Sequence, residues 1–215
     1  MSASTHRRLK ILTWHVHGNY LYYLTQVPHD FYLVTKPGNP SGYAGPIGAL
    51  PWGENVHEVS YDDVTKGSFD CVLYQHKTHY FDDRLNALSA AQQRLPRIYI
   101  EHDPPQENPF EQLHWAQDAG LLLVHVTHFN QLMWDSGVTP ATVIEHGVIV
   151  PPRVEYRGTL QKGIVVINNM RTRGRRLGAD ICDRERTRIP LDFGGVAAPS
   201  AGGTGTDRNP GIAAF

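Results

Sequence analysis

Cysteine is nearly absent from this chain of 215 residues: Cys71 and Cys182 lie far apart and belong to no C-x-x-C unit. That excludes a disulfide framework and a thiolate zinc site, and leaves two reduced thiols. Net charge is also missing, since 20 Lys and Arg stand against 21 Asp and Glu for a balance of −1. No broad electrostatic footprint therefore points to nucleic acid or to an anionic membrane. Long apolar runs are absent too. The longest, such as residues 120–126, fall far short of the ~20 residues that cross a bilayer. The basic patch in MSASTHRRLKILTW is followed by an apolar run that His15 and His17 interrupt, which makes a poor signal peptide. The expectation is a cytoplasmic protein, with peripheral membrane contact left open and no nucleic-acid partner.

What is present suffices for a core, with 40% hydrophobic and 10% aromatic residues. At this length, one domain plus part of a second is allowed. Residues 9–16 (LKILTWHV), 30–35 (DFYLVT), 56–61, 69–74 (FDCVLY), 97–100, 121–126 and 141–144 read as short strands. Helices are expected between them. One covers 20–27, and one runs from Asp82 and Asp83 through Leu85, Leu88, Ala91 and Leu95 until Pro96 stops it. Another starts at Asn108-Pro109 with Glu111 and runs to Gly120, and a short one ends at Gly137. The alternation predicts an α/β fold, a Rossmann-like parallel sheet with helices on both faces.

Residues 36–54 hold four prolines and five glycines, a long irregular loop of the kind that lines a site. The expected division is 1–150 for the Rossmann-like domain, 151–162 for a proline-marked linker, and 163–193 for the start of a second, truncated α/β domain. In that second part a strand is expected at 163–167, a helix at 175–188 and a strand at 191–193. Residues 194–215, rich in glycine, alanine and proline, are expected to be poorly ordered.

Histidine is abundant. Of twelve, the eight at His15, His17, His76, His79, His102, His125, His128 and His146 fall at or just after the carboxyl ends of predicted strands. In an open parallel sheet ligands bind at that edge, where loops part and helix N-termini face the gap. Any one of these histidines also suits the blander role of a hydrogen-bonded loop residue. Glu101-His102-Asp103 is the most polar strand end. Two carboxylates beside an imidazole can tune a base or orient a hydroxyl, while the same residues ahead of Pro104-Pro105 suit turn chemistry.

His15-x-His17 puts two imidazoles on one strand face, a pattern used by some metal-dependent hydrolases, with His102, Asp103 and His146 as further ligands. The eight-stranded barrel those ligands would need does not fit this length, so no metal is expected. Arg171, Arg173, Arg175 and Arg176 lie between a strand and a predicted helix N-terminus, where guanidinium and backbone N–H groups converge on phosphate. A solvated basic face is the alternative.

ILTWHVHGNY as first strand and glycine loop, RIYIEHDPP as a strand ending in His-Asp, and TVIEHGVIVPP as an interdomain strand together resemble the first half of a two-Rossmann-domain (GT-B) glycosyltransferase, of the retaining kind grouped as family four. Glu145-His146-Gly147-Val148 keeps the Gly-Val of the family's V-I-x-N-G-V-D and carries histidine for asparagine. GIVVINNMRTRGRRLGADI is similar to the opening of the donor domain, with Asn168-Asn169-Met170-Arg171 in place of Gly-Arg and Arg175 or Arg176 in place of the family lysine. The resemblance covers about residues 9–193, and the chain ends before the family's Glu-x7-Glu segment.

The resemblance implies transfer of a sugar, with retention, from a nucleotide-sugar donor to a lipid, polysaccharide or small-molecule acceptor. The nucleotide sugar is a co-substrate, and no cofactor or metal is bound. It places the acceptor over His17, Gly18, Asn19, His76, Glu101, His146 and Gly147, with His102 and Asp103 as the catalytic candidates and His102 orienting a hydroxyl. It places the donor diphosphate at Gly18, Arg171 and Arg176, where fixed cations stabilise the leaving group. The chain by itself is expected to be inactive. Two alternatives stand beside this: a non-catalytic binding module of the same fold, and a metal-dependent hydrolase at His15 and His17.

Overall fold

A computed structural model describes residues 7–106 and 112–195. The chain divides into two compact units, 1–149 and 150–215.

The first unit is an α/β layer structure around one seven-stranded sheet, every pairing of which is parallel. Its strands are β1 (Lys10–Thr13), β2 (Asp30–Thr35), β3 (Val56–Ser60), β4 (Cys71–Tyr74), β5 (Arg97–Glu101), β6 (Leu121–His125) and β7 (Ala141–Val143), in the spatial order β3-β2-β1-β4-β5-β6-β7. The central strands are apolar because both sheet faces are covered there, whereas the edge strand β3 (VHEVS) has no buried residue. Successive residues feed opposite layers. Leu12, Val72, Tyr74, Tyr99, Leu121 and Leu123 enter one core, and Ile11, Leu73, Ile100 and Val124 enter the other. Helix α1 (Gly18–Leu24) covers the second core with Leu21, while Val64, Tyr80 and Leu88 cover the first.

Several helices differ from the sequence expectation. The predicted helix beginning at Asp82 is instead a π-helix, His79–Asp83, followed by one turn, α2 (Arg84–Asn86), and a separate 3-10 turn at Gln92–Arg94. Its apolar spacing was right for Leu88, which is 5% exposed, and wrong for Leu85, which is 61% exposed. The cause is a capping box inside the segment. Ser89 N–H donates to Gln92 Oε1 (2.9 Å) and Gln92 N–H donates to Ser89 Oγ (3.3 Å), which starts a new turn where a continuous helix was expected.

The helix expected from Asn108 to Gly120 has its start outside the described residues, and 112–120 is not helical. There the backbone pairs across the chain instead: His114 N–H donates to Asp135 O (2.7 Å) and Asp135 N–H to Gln112 O (2.8 Å). Helix α3 (His128–Met133) begins at Thr127, whose Oγ1 accepts Asn130 N–H at 3.0 Å.

In the second unit, β8 (Gly163–Val166) pairs in parallel with β9 (Leu191–Gly194). Between them lie α4 (Met170–Arg173), a 3-10 turn at Gly174–Leu177 and α5 (Ala179–Glu185), so the helix expected over 175–188 is broken at Gly178. Most of the tail expected to be poorly ordered, residues 196–215, lies outside the described residues.

Candidate functional site

The strand order fixes where a cleft forms. The chain leaves β1 toward β2 on one side and returns at β4 on the other, so the loops after β1 and β4 part at their carboxyl ends. His17 follows β1 and His76 follows β4. Both line two cavities, of about 390 and 420 Å³.

The first cavity gathers His17, Gln75, His76, Glu101, His102 and Asp103, together with Lys77, Tyr99, Trp115 and Trp134. His102 is held by ring contacts and one side-chain hydrogen bond. The ring lies 4.3 Å from that of His17 and 4.6 Å from that of Tyr20, and Nε2 is 3.1 Å from Gln75 Oε1. With the Gln75 amide oriented as in the structure, Nε2–H donates and Nδ1 is left as an acceptor. Burial, reinforced by the nearby His17 and His146, lowers the His102 pKa to about 3. The imidazole is therefore neutral at neutral pH.

The loop carrying His102 is fastened at three points. His102 O accepts from Asn130 Nδ2 (2.9 Å), Asp103 O accepts from Trp134 Nε1 (2.8 Å), and Asp103 N–H donates to Glu101 Oε1 (2.9 Å). The other oxygen of Glu101 is fixed by His114, which is fully buried. Ala116 N–H donates to His114 Nδ1 (3.1 Å), so the imidazole proton sits on Nε2 and goes to Glu101 Oε2 at 3.2 Å. Glu101 is thus a support for the loop as much as a wall of the cavity. His125, the partner of Glu101 across β5 and β6, is also fully buried, and neither ring nitrogen has a hydrogen-bond partner among the described residues. Burial first, then His114, lowers its pKa.

The structure brings His17, His76, Glu101, His102 and Asp103 together. His146 is adjacent but exposed, with its ring 5.7 Å from that of Tyr20, and Asn19 and Gly147 are exposed as well. At Gly18 an added Cβ would lie 2.9 Å from His15 Nε2, so the space that the resemblance reserves for a diphosphate is partly filled by an imidazole. Arg171 is held by Asp183 in a bidentate pair (2.5 and 2.9 Å), and Arg175 pairs with Asp180 at 3.2 Å. The Arg176 side chain lies outside the described ones.

His15 and His17 engage different partners. His15 Nδ1 donates to Gly45 O (2.5 Å) while the His17 ring meets His102. Among the described residues no group of three or more His, Cys, Asp or Glu is arranged to hold a metal ion. No helix among them is long and apolar enough to cross a membrane.

Gln75, Lys77, Trp115 and Trp134 were not foreseen as lining residues. Gln75 and Lys77 follow β4 directly, so the strand-end rule that found His76 applies to them equally. Trp115 was hidden inside the helix expected to run to Gly120. No protein-family model, curated protein or solved structure matches the chain.

Proposed function

We propose that the first unit binds the saccharide acceptor of a glycosyltransferase of the retaining GT-B kind, family four, and that the second unit is the opening strand-helix-strand segment of its nucleotide-sugar donor domain. The observation that carries this reading is the cleft at the switch between β1 and β4, where a neutral, hydrogen-bonded His102 stands among polar and aromatic side chains. Convergent neutral donors and acceptors with aromatic walls suit sugar hydroxyls and ring faces.

In this reading His102 orients a hydroxyl through Nδ1. It is not the group that removes the hydroxyl proton, because a base whose conjugate acid has a pKa near 3 is poorly matched to that task at neutral pH. Asp103 and Lys77 supply the charged part of the same wall, and Glu101 holds the loop. A nucleotide sugar is the co-substrate, and the acceptor is a carbohydrate or a lipid-linked one. Arg171 and Arg175 pair with Asp183 and Asp180 at the surface, so a nucleoside diphosphate has to compete with these carboxylates for them.

Binding to a glycan array, followed by calorimetric titration of the best glycan, tests the reading. His102→Ala should cost at least about tenfold in affinity, about 1.4 kcal/mol. A chain that binds no glycan, or binds one equally well without His102, would sink it. A second reading, a non-catalytic saccharide-binding module, is favoured by the same depressed His102 pKa, which suits recognition over proton transfer. Measurable sugar transfer to the bound glycan by this chain would remove that alternative.

A further inference from the structure

The second cavity, of about 420 Å³, shares His17 and His76 with the first but differs from it in chemistry. Lys77, Glu101 and Asp103 put both signs of charge on the first wall. Among the described residues that line the second there is no lysine, arginine, aspartate or glutamate. Lys36 acts on His79 electrostatically, yet its ammonium lies over the rings of Tyr43 and Tyr61, at 3.8 and 3.9 Å, and is not part of the lining.

The imidazoles around this cavity are set to both accept and donate. His15 donates from Nδ1 to Gly45 O (2.5 Å), which leaves Nε2 as an acceptor. His76 accepts Thr78 N–H at Nδ1 (3.2 Å), which leaves Nε2–H as a donor. Asn39 adds one of each.

His79 is the built part of the site. It is 3% exposed, stacks on Trp14 with centroids 5.0 Å apart and planes 9° apart, and meets Tyr43 edge-on at 5.2 Å. Among the described residues its Nδ1 has no hydrogen-bond partner, which is costly for a buried polar atom. Burial, followed by His76 and Lys36, lowers its pKa to about 3, so the ring carries no charge at neutral pH. It is also the first residue of the π-helix, a form concentrated at functional sites. Gly42 closes over it. That residue has φ +87, and a Cβ there would lie 2.8 Å from His79 Nε2, so the loop reaches the ring only without a side chain.

A described lining without lysine, arginine or carboxylate that accepts, donates and offers aromatic surface fits a neutral sugar ring. We propose that the second cavity is a subsite for an uncharged sugar unit, so that the glycan at His102 extends past His17 and His76 as an oligosaccharide of two or more units. This rests on the reading of the first cavity as a saccharide site.

Ser41 and Ile47 are exposed positions on the second cavity and do not line the first, so Ser41→Trp and Ile47→Trp block only the second. The whole chain is screened on an array of mono- to tetrasaccharides, and the best oligosaccharide and the methyl glycoside of its terminal unit are then titrated. The oligosaccharide should bind at least about tenfold more tightly than the monosaccharide. Each variant, once shown by circular dichroism to be folded, should bring it down to the monosaccharide level, and if one variant misfolds the other decides. Equal affinities in the wild type, or an advantage that survives the blocking substitution, would overturn the subsite and leave the saccharide reading standing. Absence of binding to every glycan would overturn both.

Discussion

His79 and His102 give up their charge to sit where they do. Each has a folded-state pKa of about 3 against an ordinary 6.5, because burial penalises the imidazolium. The sign of the consequence follows from proton counting. Above pH 6.5 neither the folded nor the unfolded form is protonated at these rings, and stability is complete; below it the unfolded chain takes up protons that the folded chain refuses. Stability should therefore fall as pH drops from about 6.5 toward about 3. Urea denaturation at half-unit pH steps checks this, and His79→Gln or His102→Gln should flatten the slope. Gly42 makes a second prediction at this scale. Gly42→Ala forces a side chain into a left-handed backbone and against His79, and should cost about 1–3 kcal/mol in the same denaturation experiment. A neutral outcome would mean that the loop does not rest on the histidine.

Elements matter here mainly as supports for the loop after β5. Helix α3 supplies Asn130 to His102 O, and Trp134, which follows the helix and also lines the first cavity, donates to Asp103 O, so this segment sets the position of His102. Trp134→Phe keeps the ring and removes the indole donor. It should cost about 1 kcal/mol of stability and weaken glycan binding several-fold, measured by thermal melting and titration. Intact affinity would mean that the loop is held without this bond. The strands and their polar ends were legible in the sequence, because short apolar runs bounded by turn residues leave few alternatives. The expected helix at 20–27 and the short one before Gly137 appear as α1 and α3, but the other helices were not legible. Leu85, Leu88, Ala91 and Leu95 keep helical spacing, but the reciprocal bonds of Ser89 and Gln92 restart the turn between them, and spacing alone does not register a cap in the middle of a run. His114 and Trp115 were lost for a related reason: the backbone pairing of Gln112 and His114 with Asp135 is non-local, and no local pattern announces it.

At the scale of the whole molecule, the seven-stranded parallel order turns a scattered set of histidines into one cleft. His17 and His76 are 59 positions apart in sequence by their numbering, and His102 is 26 further on. They meet because β1, β4 and β5 are neighbours that all point the same way. The rule that ligands bind at such an edge located five of the expected lining residues, and it does not by itself name the ligand. The claim that a saccharide is held there by an uncharged His102 is tested most directly by long-range nitrogen–proton NMR of the histidine rings during glycan titration at pH 7. The expected result is a His102 imidazole that is neutral throughout, protonated on Nε2, with its Nδ1 resonance moving as glycan is added. A charged His102 ring, or one whose resonances stay fixed while the glycan binds, would contradict it.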